Sequence, residues 1–285
     1  RFKCDWSSDV CSSDLTTRYE KRSIATHVPN WNADLCIQCG QCAFGCPHAA
    51  VRTRIHNQAD IKMDAASYVT LAVKGKQGGE DKRFRVQVFA DDCTGCGVCV
   101  ELCLGKNKET GKRALELVPK YDVLEALRAS EKEFSSLPPT DAAFTDNKTT
   151  KGTQLVDPLF EFSGACPGCG ETPYIKLVTQ MVGDHMIQSN ATGCSSIYGG
   201  TAPTVPYCKN EKGRGPAWVS SLFEDNAEHG LGVRLGVEGL QAQAWALKGA
   251  IEADANACST LKGLLAKIAP LADQQKDTEA YRTSK

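Results

Sequence analysis

Residues 36–47, CIQCGQCAFGCP, and residues 93–104, CTGCGVCVELCL, decide how the whole sequence is interpreted. Both stretches space four cysteines in the same way, with two residues after the first, two after the second and three after the third. These cysteines are Cys36, Cys39, Cys42 and Cys46 in the first stretch, and Cys93, Cys96, Cys99 and Cys103 in the second. The two stretches therefore form an internal repeat, which holds more than half of the chain's 15 cysteines.

This cysteine spacing is typical of bacterial ferredoxins, in which it holds a [4Fe-4S] cluster. Two intervening residues let one short loop place three thiolates on three iron corners, while the fourth cysteine points away and ligates the other cluster. Gly40, Gly95 and Gly97 are expected to let backbone amides approach the sulfurs. The predicted ligand sets are Cys36, Cys39, Cys42 and Cys103 for cluster 1, and Cys93, Cys96, Cys99 and Cys46 for cluster 2.

Two other cysteine chemistries fit this spacing less well. Structural zinc sites usually combine one pair of cysteines with a second pair, whereas here two triplets overlap with a fourth residue. A disulfide framework is rejected, because reduced cytosolic-type clusters explain the same spacing without strain.

The overall composition argues against several classes of function. The chain has 285 residues, and its 33 Lys and Arg nearly balance its 34 Asp and Glu, for a net charge of −1. This balance argues against nucleic-acid or anionic-membrane binding as the primary role. The longest apolar stretches, such as SYVTLAV at 67–73, are far shorter than the roughly 18 residues of a membrane span, so we expect a soluble, cytoplasmic protein.

A third cysteine group follows in the second half of the chain. It consists of Cys166 and Cys169 in a CPGC stretch, followed by Cys194 in SNATGCSS. A CxxC pair by itself fits zinc binding, redox chemistry and chance about equally. The scattered Cys208 and Cys258 have no partner at ligand spacing, and we interpret them as small buried hydrophobic residues.

The sequence divides into a leader, a first domain and a linker. Residues 1–15, which contain Cys4 and Cys11, resemble translated sequencing adaptor and are predicted to be non-native. Residues 16–134 are predicted to be the two-cluster domain. Within them, SYVTLAVKG and RFRVQVFA predict a hairpin, ALELVP a strand, and YDVLEALRASEKEF a helix with Val123, Leu124 and Leu127 on its buried face. Residues 135–154 lack periodicity and are predicted to be a linker.

Residues 155–285 predict the beginning of an α/β domain. Thr172 is the expected N-cap and Pro173 the first residue of a helix whose buried stripe is Ile175, Val178 and Val182. MIQS predicts a short strand that runs into the turn NATGCSS, at the strand end where α/β folds place ligands. Two Ala- and Leu-rich helices are predicted over 239–255 and 258–272.

Residues 162–207, FSGACPGCGETPYIKLVTQMVGDHMIQSNATGCSSIYGGTAPTVPY, together with the upstream double cluster, resemble the single-chain pyruvate:ferredoxin (flavodoxin) oxidoreductases. The resemblance implies an α+β two-[4Fe-4S] ferredoxin-like domain followed by a partial α/β thiamine-diphosphate-binding domain. It implies that Cys166, Cys169 and Cys194 ligate a proximal cluster whose fourth ligand is missing. It also implies that Glu171 and Cys194 contact thiamine diphosphate, with residues 218–226 near the active site.

The implied reaction is the oxidative decarboxylation of pyruvate with coenzyme A to acetyl-CoA and carbon dioxide. Electrons would pass from thiamine diphosphate, bound with Mg²⁺, through the [4Fe-4S] clusters to ferredoxin or flavodoxin, and the full-length enzyme would be a homodimer. Leu104 departs from the usual Pro after the second motif. The Gly-Asp-Gly magnesium motif is absent from the sequence, so the chain is expected to be an internal fragment without activity of its own.

Two alternative functions stay open. The first is a stand-alone two-cluster electron carrier whose second domain serves only for docking. The second is an oxidoreductase for another 2-oxoacid, because no residue pattern in the chain selects pyruvate.

Overall fold

The computed structural model describes residues 16–74, 79, 81–146, 148–200, 204–221 and 225–274. The predicted leader, with Cys4 and Cys11, lies outside the described residues. The chain divides into two compact units, with the boundary between Glu224 and Asp225. The predicted boundaries at 134 and 154 do not coincide with this division, and they stay predictions about domain limits.

The first part of the chain combines short helices with two small antiparallel sheets. Its elements are α1 (Thr16–Glu20), β1 (His27–Trp31), α2 (Gln41–Phe44), β2 (Val51–Asn57), β3 (Leu71–Ala72), β4 (Lys82–Val88), α3 (Val98–Glu101), β5 (Leu115–Pro119) and α4 (Lys120–Ser136). Strand β1 pairs with β5, and β4 lies between β2 and β3. The two cysteine-bearing loops lead into α2 and α3, so the sheets and α4 surround the repeat.

The predicted hairpin over 67–90 is present but is not the main pairing. Strand β4 pairs with the two residues of β3, Leu71 opposite Phe84, and with all seven residues of β2, Val51 opposite Val88. The sequence interpretation missed β2 because Arg52, Arg54 and His56 interrupt its apolar residues, although all three are buried. The central part of the predicted turn, 75–78 and 80, lies outside the described residues.

Strand β5 and helix α4 confirm the predictions made for residues 114–134. Leu124 is buried and the partly buried Val123 and Leu127 pack beside it. Phe134, near the end of α4, is fully buried in the main core, where its ring meets that of Phe89 edge-on at 5.9 Å. The core thus joins α4 to the strands that flank the cysteine loops.

The stretch predicted as a linker is packed in its second half. It contains a 3₁₀ turn at Ala142–Phe144 and helix α5 (Thr150–Gln154). The Thr149 side chain caps α5 by accepting a hydrogen bond from the Gly152 amide at 3.1 Å. Helix α5 was not predicted from the sequence, and it packs against α2, which carries Cys42. A side-chain carbon at Gly40 would come within 3.4 Å of the Lys151 Cα.

The next elements are α6 (Thr172–Val182), β6 (Ile187–Asn190), α7 (Cys194–Gly200) and β7 (Ala217–Ser220). Strands β6 and β7 are parallel, which confirms the strand predicted from MIQS. Helix α6 begins one residue before the predicted start, so its N-cap is Glu171 and not Thr172.

The buried stripe predicted for α6 is wrong at two of its three residues, since only Ile175 is partly buried and packs against the cluster around Phe160. Val178 and Val182 are 43% and 38% exposed, and the buried residues of the helix are Thr172, Lys176, Thr179 and Gln180. Three of these side chains, Lys176, Thr179 and Gln180, are hydrogen-bonded, which allows the polar face to be buried. Gln180, for example, donates to the Val156 carbonyl at 2.7 Å.

The second unit contains α8 (Asn226–Ala253) and α9 (Ser259–Gln274). Both helices were predicted, although α8 begins well before residue 239. Among the described residues, neither these helices nor any other is long and apolar enough to cross a membrane.

Candidate functional site

Four cysteines line one small cavity. Three of these thiols come from one loop, Cys36, Cys39 and Cys42, whereas the fourth comes from the end of the second repeat, Cys103. Apolar side chains such as Trp31 and Leu115 close the wall around them. We call this the first cavity.

A second small cavity repeats the arrangement with the roles of the two repeats exchanged. Cys93, Cys96 and Cys99 line it from the second repeat, and Cys46 reaches it from the first. The cysteines that line each cavity are those predicted to ligate one cluster. Their assignment as ligands stays a prediction.

The two cysteine loops have the same backbone conformation at equivalent positions. The Gln38 amide points at the Cys36 sulfur and the Gly95 amide at the Cys93 sulfur, each at 3.4 Å. Gln38 and Gly95 have φ values of 61° and 71°, in the left-handed region. An amide directed at a thiolate in this way stabilises its negative charge and thereby that of a bound cluster.

Gln38 and Gly95 hold this conformation by different means. The Gln38 side chain donates to the Ala72 carbonyl at 2.7 Å and accepts from the Lys74 amide at 2.9 Å, which holds a non-glycine residue at positive φ. A side-chain carbon at Gly95 would lie 2.9 Å from the His27 carbonyl oxygen, so this position leaves room only for glycine.

Burial and mutual proximity raise the pKa values of the buried thiols. Burial is the main cause for Cys42, Cys93 and Cys99, and it raises the pKa of Cys93 to about 12. Neighbouring thiols raise these pKa values further. Cys103 does so for Cys42, and Cys46 does so for Cys99. Thiolates crowded in this way need a cationic group among them, which an iron–sulfur core supplies.

The four cysteines at each cavity are suitable ligands for an iron–sulfur core. Four cysteines around a small apolar cavity are the usual ligands of a [4Fe-4S] cluster. Within the described parts of the chain, no three His, Cys, Asp or Glu side chains gather closely enough to hold a single metal ion.

Residues 166–169, which we call the CPGC turn, lie against the second cavity. The turn is closed by a hydrogen bond from the Cys169 amide to the Cys166 carbonyl at 3.0 Å. Gly168, at φ 75°, sits where an added side-chain carbon would be 3.8 Å from the Cβ of Cys96. The turn therefore packs directly on a cysteine of the second repeat.

His48 links the second cavity to the segment before the CPGC turn. Its ring Nε2 lies 2.9 Å from the Ala165 carbonyl oxygen, to which it donates, and its own carbonyl accepts from the Phe162 amide at 2.9 Å. Its Nδ1 is 3.5 Å from the Thr94 hydroxyl. The sequence interpretation left His48 out, since an isolated histidine after a cysteine motif carries no signal of such a link.

The remaining predicted residues lie near the CPGC turn and α7. Glu171 is exposed at the start of α6. Burial is the main cause of the raised pKa of Tyr198, and the carboxylate of Glu171 raises it further. Cys194 is the exposed first residue of α7. The next residue, Ser195, donates to the Asn190 side chain at 2.8 Å, which orders the turn after β6. Of the predicted segment 218–226, residues 222–224 lie outside the described residues.

Lys176 joins α6 to the first cysteine loop. Its ammonium donates to the carbonyl oxygens of Phe44 and Cys46, both at 3.0 Å, and to that of Ala43. The side chain is only 2% exposed, and burial lowers its pKa to about 8. The thiols of Cys46 and Cys42 oppose this shift. The sequence analysis assigned Lys176 to no functional site.

Comparison with known proteins gives consistent matches. Residues 29–104 match the family described as a 4Fe-4S dicluster domain, a range that includes all eight cysteines of the two cavities. The chain is 50% identical over 237 residues to the pyruvate-flavodoxin oxidoreductase of Rhodospirillum rubrum, which covers 83% of this chain and 20% of that protein.

Two further relatives match over similar lengths. The pyruvate:ferredoxin oxidoreductase of Moorella thermoacetica is 49% identical over 243 residues, 85% of this chain and 20% of that protein. The probable pyruvate-flavodoxin oxidoreductase of Escherichia coli is 46% identical over 224 residues, 78% of this chain and 19% of that protein. The chain thus spans about a fifth of the length of the curated relatives it matches.

Proposed function

Since the chain is a homologue of one stretch of the pyruvate-flavodoxin and pyruvate:ferredoxin oxidoreductases, we propose that it is the electron-carrying part of an enzyme of this kind. Its first part is a ferredoxin-like 4Fe-4S dicluster domain. The whole enzyme would oxidise pyruvate with coenzyme A to acetyl-CoA and carbon dioxide and pass the electrons to ferredoxin or flavodoxin.

One observation carries the proposal, namely the exchange of the fourth cysteine between the two repeats. Cys103 lines the cavity of Cys36, Cys39 and Cys42, and Cys46 lines the other. Such an exchange is the arrangement of two-cluster ferredoxins and is not needed by two independent zinc sites. We therefore propose the first cavity as the site of cluster 1 and the second cavity as the site of cluster 2.

The contacts of the CPGC turn support an order of electron transfer. Cys166, Cys169 and Cys194 are proposed as ligands of a proximal cluster, completed by a fourth ligand that this chain does not identify. Gly168 packs on Cys96, and His48 joins Ala165 to the loop that follows Cys46. Cluster 2 would accordingly receive electrons first and pass them to cluster 1.

The region after residue 155 is proposed to be part of the thiamine-diphosphate-binding domain. When bound with Mg²⁺, that cofactor supplies stabilisation of the carbanion formed on decarboxylation. Glu171 and Cys194 are the residues of this chain proposed to contact it. A homodimeric, cytoplasmic enzyme remains part of the same proposal, as do the domain limits 16–134, 135–154 and 155–285.

Anaerobic reconstitution of the chain with iron and sulfide tests the proposal directly. Iron and acid-labile sulfide should each approach about eight per chain from the two complete sites, by the composition of the cubane. A product that held stoichiometric zinc and no sulfide would refute the cluster assignment. The third site should add little, because only three of its four ligands are proposed within this chain.

A further inference from the structure

Lys176 is a buried cation whose partners are backbone carbonyls. Its three ammonium protons are directed at the carbonyl oxygens of Ala43, Phe44 and Cys46, at the end of α2 and in the loop that follows it. Among the described residues, it forms no ion pair with a carboxylate. The charge is therefore only partly compensated by the protein around it, and burial of such a charge is costly.

Two of the three carbonyls that Lys176 bonds belong to Cys46 and to Ala43, the residue that follows Cys42. Cys42 lines the first cavity and Cys46 the second. The ammonium therefore stands beside one proposed ligand of each cluster.

Anchoring of α6 does not by itself require a charge. Thr179 and Gln180, on the same face, use neutral groups, with the Thr179 hydroxyl accepting from the Leu159 amide at 3.2 Å and Gln180 donating to the Val156 carbonyl at 2.7 Å. A neutral hydrogen-bonding side chain at position 176 could serve the same purpose. A positive charge there is explained by a negative charge nearby that changes during function.

We propose that Lys176 is a positioning residue that raises the reduction potentials of the clusters at both cavities while it fixes α6, and with it the CPGC turn, on the first cysteine loop. This inference rests on the proposed function. Reduction adds one negative charge to a cluster, and a buried ammonium beside its ligands stabilises the reduced form more than the oxidised form. The potential of each cluster is thereby linked to the docking of the helix that follows the CPGC turn.

The test compares four variants of the complete reconstituted chain, Lys176→Met, Lys176→Gln, Lys176→Arg and Lys120→Met. Lys120 is the matched control because it is equally buried and its ammonium donates to Ser23, at 2.7 Å to the carbonyl, and to no cysteine. Iron and sulfide are determined first, and the two reduction steps are then followed by redox titration with electron paramagnetic resonance.

The two neutral variants should keep about eight iron atoms and titrate at more negative potentials than the unaltered chain. Lys176→Arg and Lys120→Met should titrate close to the unaltered chain. A shift of both reduction steps to more negative potentials in the neutral variants supports the inference, and a shift to more positive potentials would overturn it. Unchanged potentials in both neutral variants with full iron content would overturn it, and so would loss of the clusters from both, since the role would then be only structural. Absence of clusters from the unaltered chain would instead refute the proposed function.

Discussion

The ring of His48 donates to the carbonyl oxygen of Ala165 across 2.9 Å, and so connects the residue after Pro47 to the residue before Cys166. This hydrogen bond spans two segments more than a hundred residues apart in sequence. Together with the packing of Gly168 on Cys96 it holds the CPGC turn on the second cavity.

Replacement of His48 should loosen the CPGC turn. In His48→Ala, the amides of residues 164–169 should exchange with solvent at least several-fold faster, because a hydrogen bond to a buried ring contributes about 1 kcal/mol. Hydrogen exchange followed by mass spectrometry measures this. Thr94→Val is the control, since it removes only the 3.5 Å contact to Nδ1 and should leave these amides nearly unchanged. Equal exchange in His48→Ala and the unaltered chain would contradict the role given to His48.

Loss of a fourth cysteine should damage the cluster of the other repeat. In Cys46→Ala, the cluster at Cys93, Cys96 and Cys99 should be lost or converted to a three-iron form, while the cluster at the first cavity persists. Cys103→Ala should show the reverse. Electron paramagnetic resonance and Mössbauer spectra of the two variants distinguish the clusters, and damage confined to the variant's own loop would refute the exchange of ligands.

Gly95 should tolerate alanine worse than another glycine with the same backbone angle. Gly111 also has φ 71°, but no neighbouring atom lies within 4 Å of its added side-chain carbon. Gly111→Ala should cost about 1 kcal/mol of unfolding free energy from backbone strain alone. Gly95→Ala should cost roughly 2–4 kcal/mol, because the contact with the His27 carbonyl is added. Anaerobic urea unfolding gives both values, and equal losses would show that the close contact relaxes freely.

The buried pair of Arg52 and Glu161 should contribute far more to stability than an exposed pair. The Arg52 guanidinium also lies over the Phe89 and Phe162 rings, 4.8 Å from each centroid, and Glu161 is 1% exposed. Glu161→Gln should cost about 3–5 kcal/mol by leaving a buried guanidinium unpaired. Glu125→Gln, which removes the exposed contact to Arg128, should leave the urea midpoint nearly unchanged. Comparable losses in urea unfolding would contradict this ranking.

His56 should make the chain less stable in mild acid. Burial, followed by the charges of Arg54 and Arg85, lowers its pKa to about 4 from 6.5. The unfolded chain therefore takes up a proton as pH falls below 6.5 while the folded chain does not, so unfolding becomes easier between pH 6.5 and 4 and is unaffected by this group above 6.5. The full effect is roughly 3 kcal/mol. Urea midpoints at pH 7.5, 6 and 5 should fall less steeply in His56→Gln, and parallel slopes would exclude His56 as the cause.

The sequence predicted the two-cluster domain because the spacing of the cysteines follows directly from the way they bind a cluster. The match over residues 29–104 confirms that domain. It also predicted β5, α4 and β6, and the apolar residues of α4 lie on the predicted buried face. It failed where polar residues are buried. The buried Arg52 and Arg54 obscured the strand pattern of β2, and the apolar pattern of α6 gave no sign that Lys176 is buried. The hydrogen-bond partners that allow these side chains to be buried lie more than a hundred residues away in sequence.

The hydrogen bonds of the buried polar side chains of α6 also fix the position of this helix on its neighbours. Apolar contacts have no preferred direction, whereas the ammonium of Lys176 and the amide of Gln180 each require acceptors in one direction. In the proposed function electrons cross from the CPGC turn to the second cavity by tunnelling, and the rate of tunnelling falls steeply with each added ångström. Directional hydrogen bonds under α6 would thus keep that rate uniform from one molecule to the next and from one turnover to the next.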